Sequence, residues 1–211
     1  MKRLDWYFDF ISPFAYLQSE LLHTLPPEVE LHFKPVLLAG LLQHWDNKGP
    51  AEIPPKREWT FAHCAWLAHK HGIALTMPAH HPFNPLPLLR LCLALNATPA
   101  AVHRLFRYVW REGKLPTDSE HWQALLQELQ VMPDRLETAA IKQQLRDNGE
   151  QAIAAKVFGV PSAVVDQRCF WGLDGTDMLQ AYLRGDAFFQ SEQLKRAEAL
   201  PQGIQRNRTT S

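Results

Sequence analysis

The chain has 211 residues, 46% of them hydrophobic and 21% charged, and its 22 Lys plus Arg balance 22 Asp plus Glu. Such a chain buries a sizeable core without disulfide staples, and a net charge of zero excludes a general electrostatic hold on nucleic acid or on an anionic membrane. The three cysteines, Cys64, Cys92 and Cys169, form no Cys-x-x-Cys pair, which excludes a disulfide framework, a zinc ribbon and a dithiol redox site. Residues 1–10 carry charges where a signal peptide needs an apolar run. No stretch approaches ~18 uninterrupted apolar residues, so the expected setting is the cytoplasm.

In chain order, the aromatic run Leu4 to Phe10 predicts a strand. Ser12-Pro13 predicts a helix start, with an N-cap residue followed by the residue favoured at the first helical position. Phe14, Leu17, Leu21 and Leu22 mark one face of that helix, and Pro26-Pro27 ends it. Val29 to Phe33 alternates apolar and polar residues, the period of a second strand. Strand, helix and strand within so short a span read as a parallel βαβ unit. From Leu37 to Gly149 only helical signals recur. Helices are expected over Leu37 to Trp45, Arg57 to His71, Pro85 to Asn96, Ala100 to Trp110, Ser119 to Leu129 and Pro133 to Arg146, the last ended by Asn148-Gly149.

The C-terminal part returns to α/β. A short helix is expected over Gln151 to Phe158. Strands at Ser162 to Val165 and Arg168 to Trp171 lie close enough to pair across Asp166-Gln167, and a last helix spans Asp174 to Arg184. Beyond Gly185 the chain is polar, and residues 205–211 are expected to be mobile. The two ends together predict an α/β fold with a four-stranded mixed sheet, formed by residues 1–36 and 150–211. Residues 37–149 form an all-helical insertion.

Three motifs could carry chemistry. Asp9-Phe10-Ile11-Ser12-Pro13-Phe14-Ala15 places a hydroxyl at a helix N-terminus, beside unpaired N–H groups and the positive end of the dipole. That setting suits an anion such as a thiolate, although an N-cap serine also stabilises a helix with no chemistry at all. Phe158-Gly159-Val160-Pro161 puts a proline at the first position of a strand, where its missing N–H is tolerated. Phe170-Trp171-Gly172-Leu173-Asp174-Gly175 is a strand end, a turn and a helix start. There Asp174 could cap the helix, or take an ammonium while the free N–H groups hold a carboxylate.

Together these motifs resemble the 2-hydroxychromene-2-carboxylate isomerase family and the related kappa-class glutathione transferases, within the DsbA-like thioredoxin superfamily. The resemblance spans about residues 3–184. It includes Tyr16-Leu17, Asn47-Lys-Gly-Pro50, Pro55-Lys56-Arg57 and Pro82-Phe83-Asn84-x-Leu86. It implies a thioredoxin-like fold with an inserted helical domain, a glutathione site and a homodimer. Ser12 and Ala15 stand where such folds carry the two cysteines of a disulfide exchanger, so these positions cannot exchange disulfides.

The resemblance gives Ser12 the catalytic role of holding the glutathione sulfur as thiolate. Val160, before a cis Pro161, would pair with the glutathione backbone. Leu173 and Asp174 would take its γ-glutamyl end, and Asn47 and Asn84 would border the substrate. The implied activity is cis–trans isomerisation of an aromatic conjugated keto acid by reversible thiolate addition. Transfer of glutathione to another electrophile is the alternative, and a non-catalytic thioredoxin-like binding module is a third.

The sequence also departs from the family. Gly175 stands where arginine is common, Leu42 where the isomerases place lysine, and Ala51-Glu52-Ile53 where they carry polar residues. The ten histidines show no metal-ligand spacing and read as scattered surface residues, so no metal is expected. The tryptophans of the helical block read as core. Cys64 and Cys92 read as buried and inert, and Cys169 as packing.

Overall fold

The structure, a computed structural model, describes residues 1–203. The polar tail 205–211 lies outside the described residues. Strand β1 (Lys2–Phe8) leads into helix α1 (Pro13–Leu21), which crosses to β2 (Val29–Pro35), and β1 and β2 pair in parallel. Strands β3 (Ser162–Val165) and β4 (Arg168–Trp171) form an antiparallel hairpin, and β3 adds antiparallel to β1. The sheet order is β2-β1-β3-β4, the expected four-stranded mixed sheet. Asp166 and Gln167 both have positive φ, 50° and 63°, as a turn matched to strand twist requires.

β1 is an inner strand, which explains why Trp6, Tyr7 and Phe8 are all buried in succession. Between β2 and β3 lie α2 (Leu38–His44), α3 (Pro54–His71), α4 (Leu86–Ala94), α5 (Pro99–Trp110), α6 (Ser119–Glu128) and α7 (Ala139–Ala154). Helices α8 (Thr176–Leu183) and α9 (Glu192–Glu198) follow β4. Phe106 of α5 packs against Trp6, Phe8 and Phe10 at ring-centroid distances of 6.1, 5.5 and 4.6 Å. The helical block therefore rests directly on the strand that leads to Ser12.

Several expectations need correction. α3 starts at Pro54, three residues early, because prolines in a first turn forgo only N–H bonds that have no helical partner. α7 runs unbroken through Asn148-Gly149, where two helices were expected. Asn148 turns inward and its Nδ2 donates to the Pro35 carbonyl at 2.9 Å, a tertiary bond that offsets poor helix propensity. Asp118, not Ser119, caps α6. Past Gly185 the chain still forms α9, capped by Ser191 and anchored by buried Leu194. Trp6 and Trp110 are core, but Trp59 and Trp66 of the helical block are 70% and 55% exposed.

Candidate active site

The register brings three segments to one end of the sheet. Tyr7 lies opposite Ser162, and Ser162 opposite Trp171. The chain leaving β1 (9–13), the chain entering β3 (159–161) and the turn after β4 (172–175) therefore share that end. They carry Ser12, Val160 and Pro161, and Leu173 and Asp174. β2 ends there too, since Phe8 pairs with Pro35.

Ser12 caps α1 from an extended conformation, and its Oγ accepts from the Ala15 N–H at 3.2 Å. Among the described residues no acceptor takes the Oγ hydrogen. The residue is only 7% exposed. The turn before it is held from several sides. The buried Asp9 carboxylate accepts from the N–H groups of Ile11 at 3.1 Å and Leu38 at 2.8 Å. It thereby satisfies the start of α2, which has no side-chain cap of its own. Burial pushes the Asp9 carboxyl up to about 7, and the backbone N–H bonds only partly oppose that. Trp110 Nε1 donates to the Phe10 carbonyl at 2.8 Å.

The Val160–Pro161 peptide bond is cis. Gly172 N–H donates to the Pro161 carbonyl at 2.9 Å, which fixes the β4 turn to this segment. Among the described residues, no protein group takes the N–H or C=O of Val160. A Cβ at Gly159 would lie 2.8 Å from Trp171 Nε1, so glycine lets the indole close over this strand entry. Phe158 packs on the same ring at 5.1 Å.

The β4 turn differs from expectation. Asp174 does not cap α8; Gly175 occupies the cap position without a side-chain bond. The Asp174 carboxylate is exposed and makes no hydrogen bond within the described residues. The Leu173 carbonyl accepts from both the N–H and Oγ1 of Thr176, while no described acceptor takes the N–H of Leu173 or Asp174. A Cβ at Gly175 would lie 2.5 Å from the Trp171 carbonyl, so an arginine cannot replace it without moving the backbone.

Buried Gln18 couples the two helix starts. Its Oε1 accepts from Trp6 Nε1 at 2.6 Å, and its Nε2 donates to the Gly172 carbonyl at 3.1 Å and to Thr176 Oγ1 at 2.9 Å. Sequence reading missed Gln18, and it gave Asp9 no role. A polar residue on the inner face of an otherwise apolar helix was the available signal for Gln18.

Among the described residues, Asn47 and Asn84 make no hydrogen bond to Ser12, Val160, Leu173 or Asp174. Asn47 is exposed, on a loop tied down where Trp45 Nε1 donates to the Val157 carbonyl at 2.9 Å. Asn84 is exposed, and its Oδ1 accepts from Leu86 N at the start of α4. Of the cysteines, Cys64 and Cys92 are buried and Cys169 is partly buried. Burial raises all three thiols, Cys64 to about 12. Burial thus disfavours the thiolate at each of the three. Among the described residues, no helix is long and apolar enough to cross a membrane.

The model of the DSBA-like thioredoxin domain matches residues 3–184. A 2-hydroxychromene-2-carboxylate isomerase of Sphingobium xenophagum is 30% identical over 195 residues, covering 86% of this chain and 98% of that protein. Glutathione S-transferase kappa 1 of Rattus norvegicus is 22% identical, covering 87% and 91%. A solved 2-hydroxychromene-2-carboxylate isomerase structure superposes with a TM-score of 0.74 at 24% identity, covering 93% and 98%. The chain belongs to the DSBA-like thioredoxin family, in the branch of the 2-hydroxychromene-2-carboxylate isomerases and their kappa-class glutathione transferase relatives.

Proposed function

We propose that the protein is a glutathione-dependent isomerase of an aromatic conjugated keto acid, of the 2-hydroxychromene-2-carboxylate type, working as a cytoplasmic homodimer. The observation that carries this reading is the Ser12 hydroxyl, free to donate at a helix N-terminus, with untaken main-chain groups at Val160, Leu173 and Asp174 at the same sheet end. That donor set fits a γ-glutamyl peptide thiol. Ser12 Oγ–H and the dipole of α1 favour sulfur as the anion. Val160 offers an N–H and a C=O to a peptide backbone, with Pro161 setting their direction. The N–H groups of Leu173 and Asp174 suit a carboxylate, and the Asp174 side chain suits an ammonium.

Bound glutathione would supply a thiolate that adds reversibly to the conjugated substrate, so that its double bond becomes a single bond free to rotate before the thiolate leaves. Asn47 and Asn84, on the bordering loops, are the substrate-side candidates. A second reading is transfer of glutathione to a different electrophile. Leu42 favours it, since no cation stands at the position where the isomerases place a lysine for their substrate.

The test is conversion of 2-hydroxychromene-2-carboxylate followed with and without reduced glutathione. Turnover that requires glutathione supports the isomerase. Glutathione binding without turnover favours the second reading. If reduced glutathione leaves the melting temperature unchanged even in large excess, the glutathione site is refuted.

A further inference from the structure

The Ile11–Ser12 peptide is held at both ends. Its N–H donates to the Asp9 carbonyl at 3.1 Å, and its carbonyl lies 2.8 Å from His81 Nε2. A carbonyl only accepts, so Nε2 carries the hydrogen and Nδ1 is the bare nitrogen. Nδ1 is buried without a hydrogen-bond partner among the described residues. The ring packs among Phe61, Phe83 and Trp110 at 5.2, 5.9 and 5.9 Å. The elements around it present Phe61 of α3, Trp110 of α5, Phe83 and the Ile11 carbonyl, and among the described residues the charged group that acts on it is Arg57 of α3.

A proton on Nδ1 would create a buried donor with no acceptor among the described residues, on a ring already under the positive field of Arg57. Accordingly, burial and Arg57 push His81 below its ordinary value against the pull of the Ile11 bond. His81 thus departs from the reading of the histidines as surface residues. It reaches the Ser12 turn from a loop 70 positions away in the chain.

We infer that His81 is a positioning residue. In its neutral Nε2–H form it fixes the plane of the Ile11–Ser12 peptide, and through it the direction in which Ser12 Oγ meets a ligand sulfur. The inference rests on the glutathione reading above. It separates a role in aiming Ser12 from a role in holding the fold, because the two predict different behaviour of the bound thiol.

The test measures the thiolate of protein-bound glutathione by its ultraviolet absorbance across pH, alongside the melting temperature. His81→Phe keeps the ring packing and leaves the Ile11 carbonyl unpaired. His81→Gln places an amide donor at the same number of bonds from Cα. His81→Asn carries the same amide one bond short, and replaces His81→Phe if that variant does not fold. The expected result is a thiolate fraction near neutral pH that falls roughly 3–10-fold in H81F or H81N and is restored in H81Q. A thiolate titration unchanged in H81F or H81N overturns the inference and leaves His81 a packing residue. So does an H81Q variant as impaired as H81F. A wild-type protein with no thiolate band overturns the glutathione reading, and the inference with it.

Discussion

Two helix starts border the site, and they are built in opposite ways. At α1 the polar side chains face inward: Ser12 caps, Asp9 is fully buried, and Trp110 and His81 grip the two carbonyls before Ser12. At α8 no side chain caps, Asp174 points to solvent, and Gly175 lets the backbone pass against the Trp171 carbonyl. The first arrangement fixes the peptides that lead to one hydroxyl, as the role proposed for Ser12 requires. The second leaves N–H groups and a carboxylate open, as a binding turn requires. Chemistry and affinity should therefore be separable by mutation.

Ser12→Ala should break the α1 side alone. Turnover should fall by ~10²–10⁴-fold, the range for one positioned donor, while stability drops only by the cap, ~1 kcal/mol. Steady-state kinetics beside urea unfolding check both halves. Gly175→Arg should break the α8 side. The added Cβ forces the turn off the Trp171 carbonyl, and glutathione affinity measured by calorimetry should weaken by at least ~10-fold. Affinity that instead improves would mean the family arginine is accommodated after all.

Gln18→Leu unlinks the two starts. It leaves Trp6 Nε1 and the Gly172 carbonyl without their partner, at a cost of ~1–3 kcal/mol that chemical denaturation would register. Asp9→Asn is read as a slope in pH rather than as a single loss. The folded carboxyl titrates near 7 against an ordinary 3.8, so the folded state binds more protons than the unfolded state between those values. Its contribution is favourable below the lower value and is lost as pH rises through the upper one. Stability measured at pH 5 and pH 8 should differ less in the variant than in the wild type. An unchanged difference would show that Asp9 is ionised without penalty.

What was legible in the sequence was local. Ser12-Pro13, the alternation in Val29 to Phe33 and the paired runs around Asp166-Gln167 each specify an element within a few residues, and they settle the sheet. The hydroxyl at the first helix start could be found for the same reason. The rest depends on distant partners. Asn148 reads as a helix stop until the Pro35 carbonyl is seen to hold its amide. The chain past Gly185 reads as polar coil, yet α9 forms there, and Phe189 before it packs on Phe170 and Tyr182. Trp59 and Trp66 read as core because a tryptophan usually is, and nothing local marks the outer face of α3. His81 and Trp110 reach the Ser12 turn across 70 and 100 positions, a distance no spacing rule covers.

The central claim is that the Ser12 end of the sheet takes an external thiol as its anion. Calorimetric titration with reduced glutathione and with S-methylglutathione at mildly alkaline pH tests it most directly, because the methyl group removes the anion and keeps the peptide. The account predicts that reduced glutathione binds roughly 10-fold tighter or better. Equal affinity for the two would contradict it.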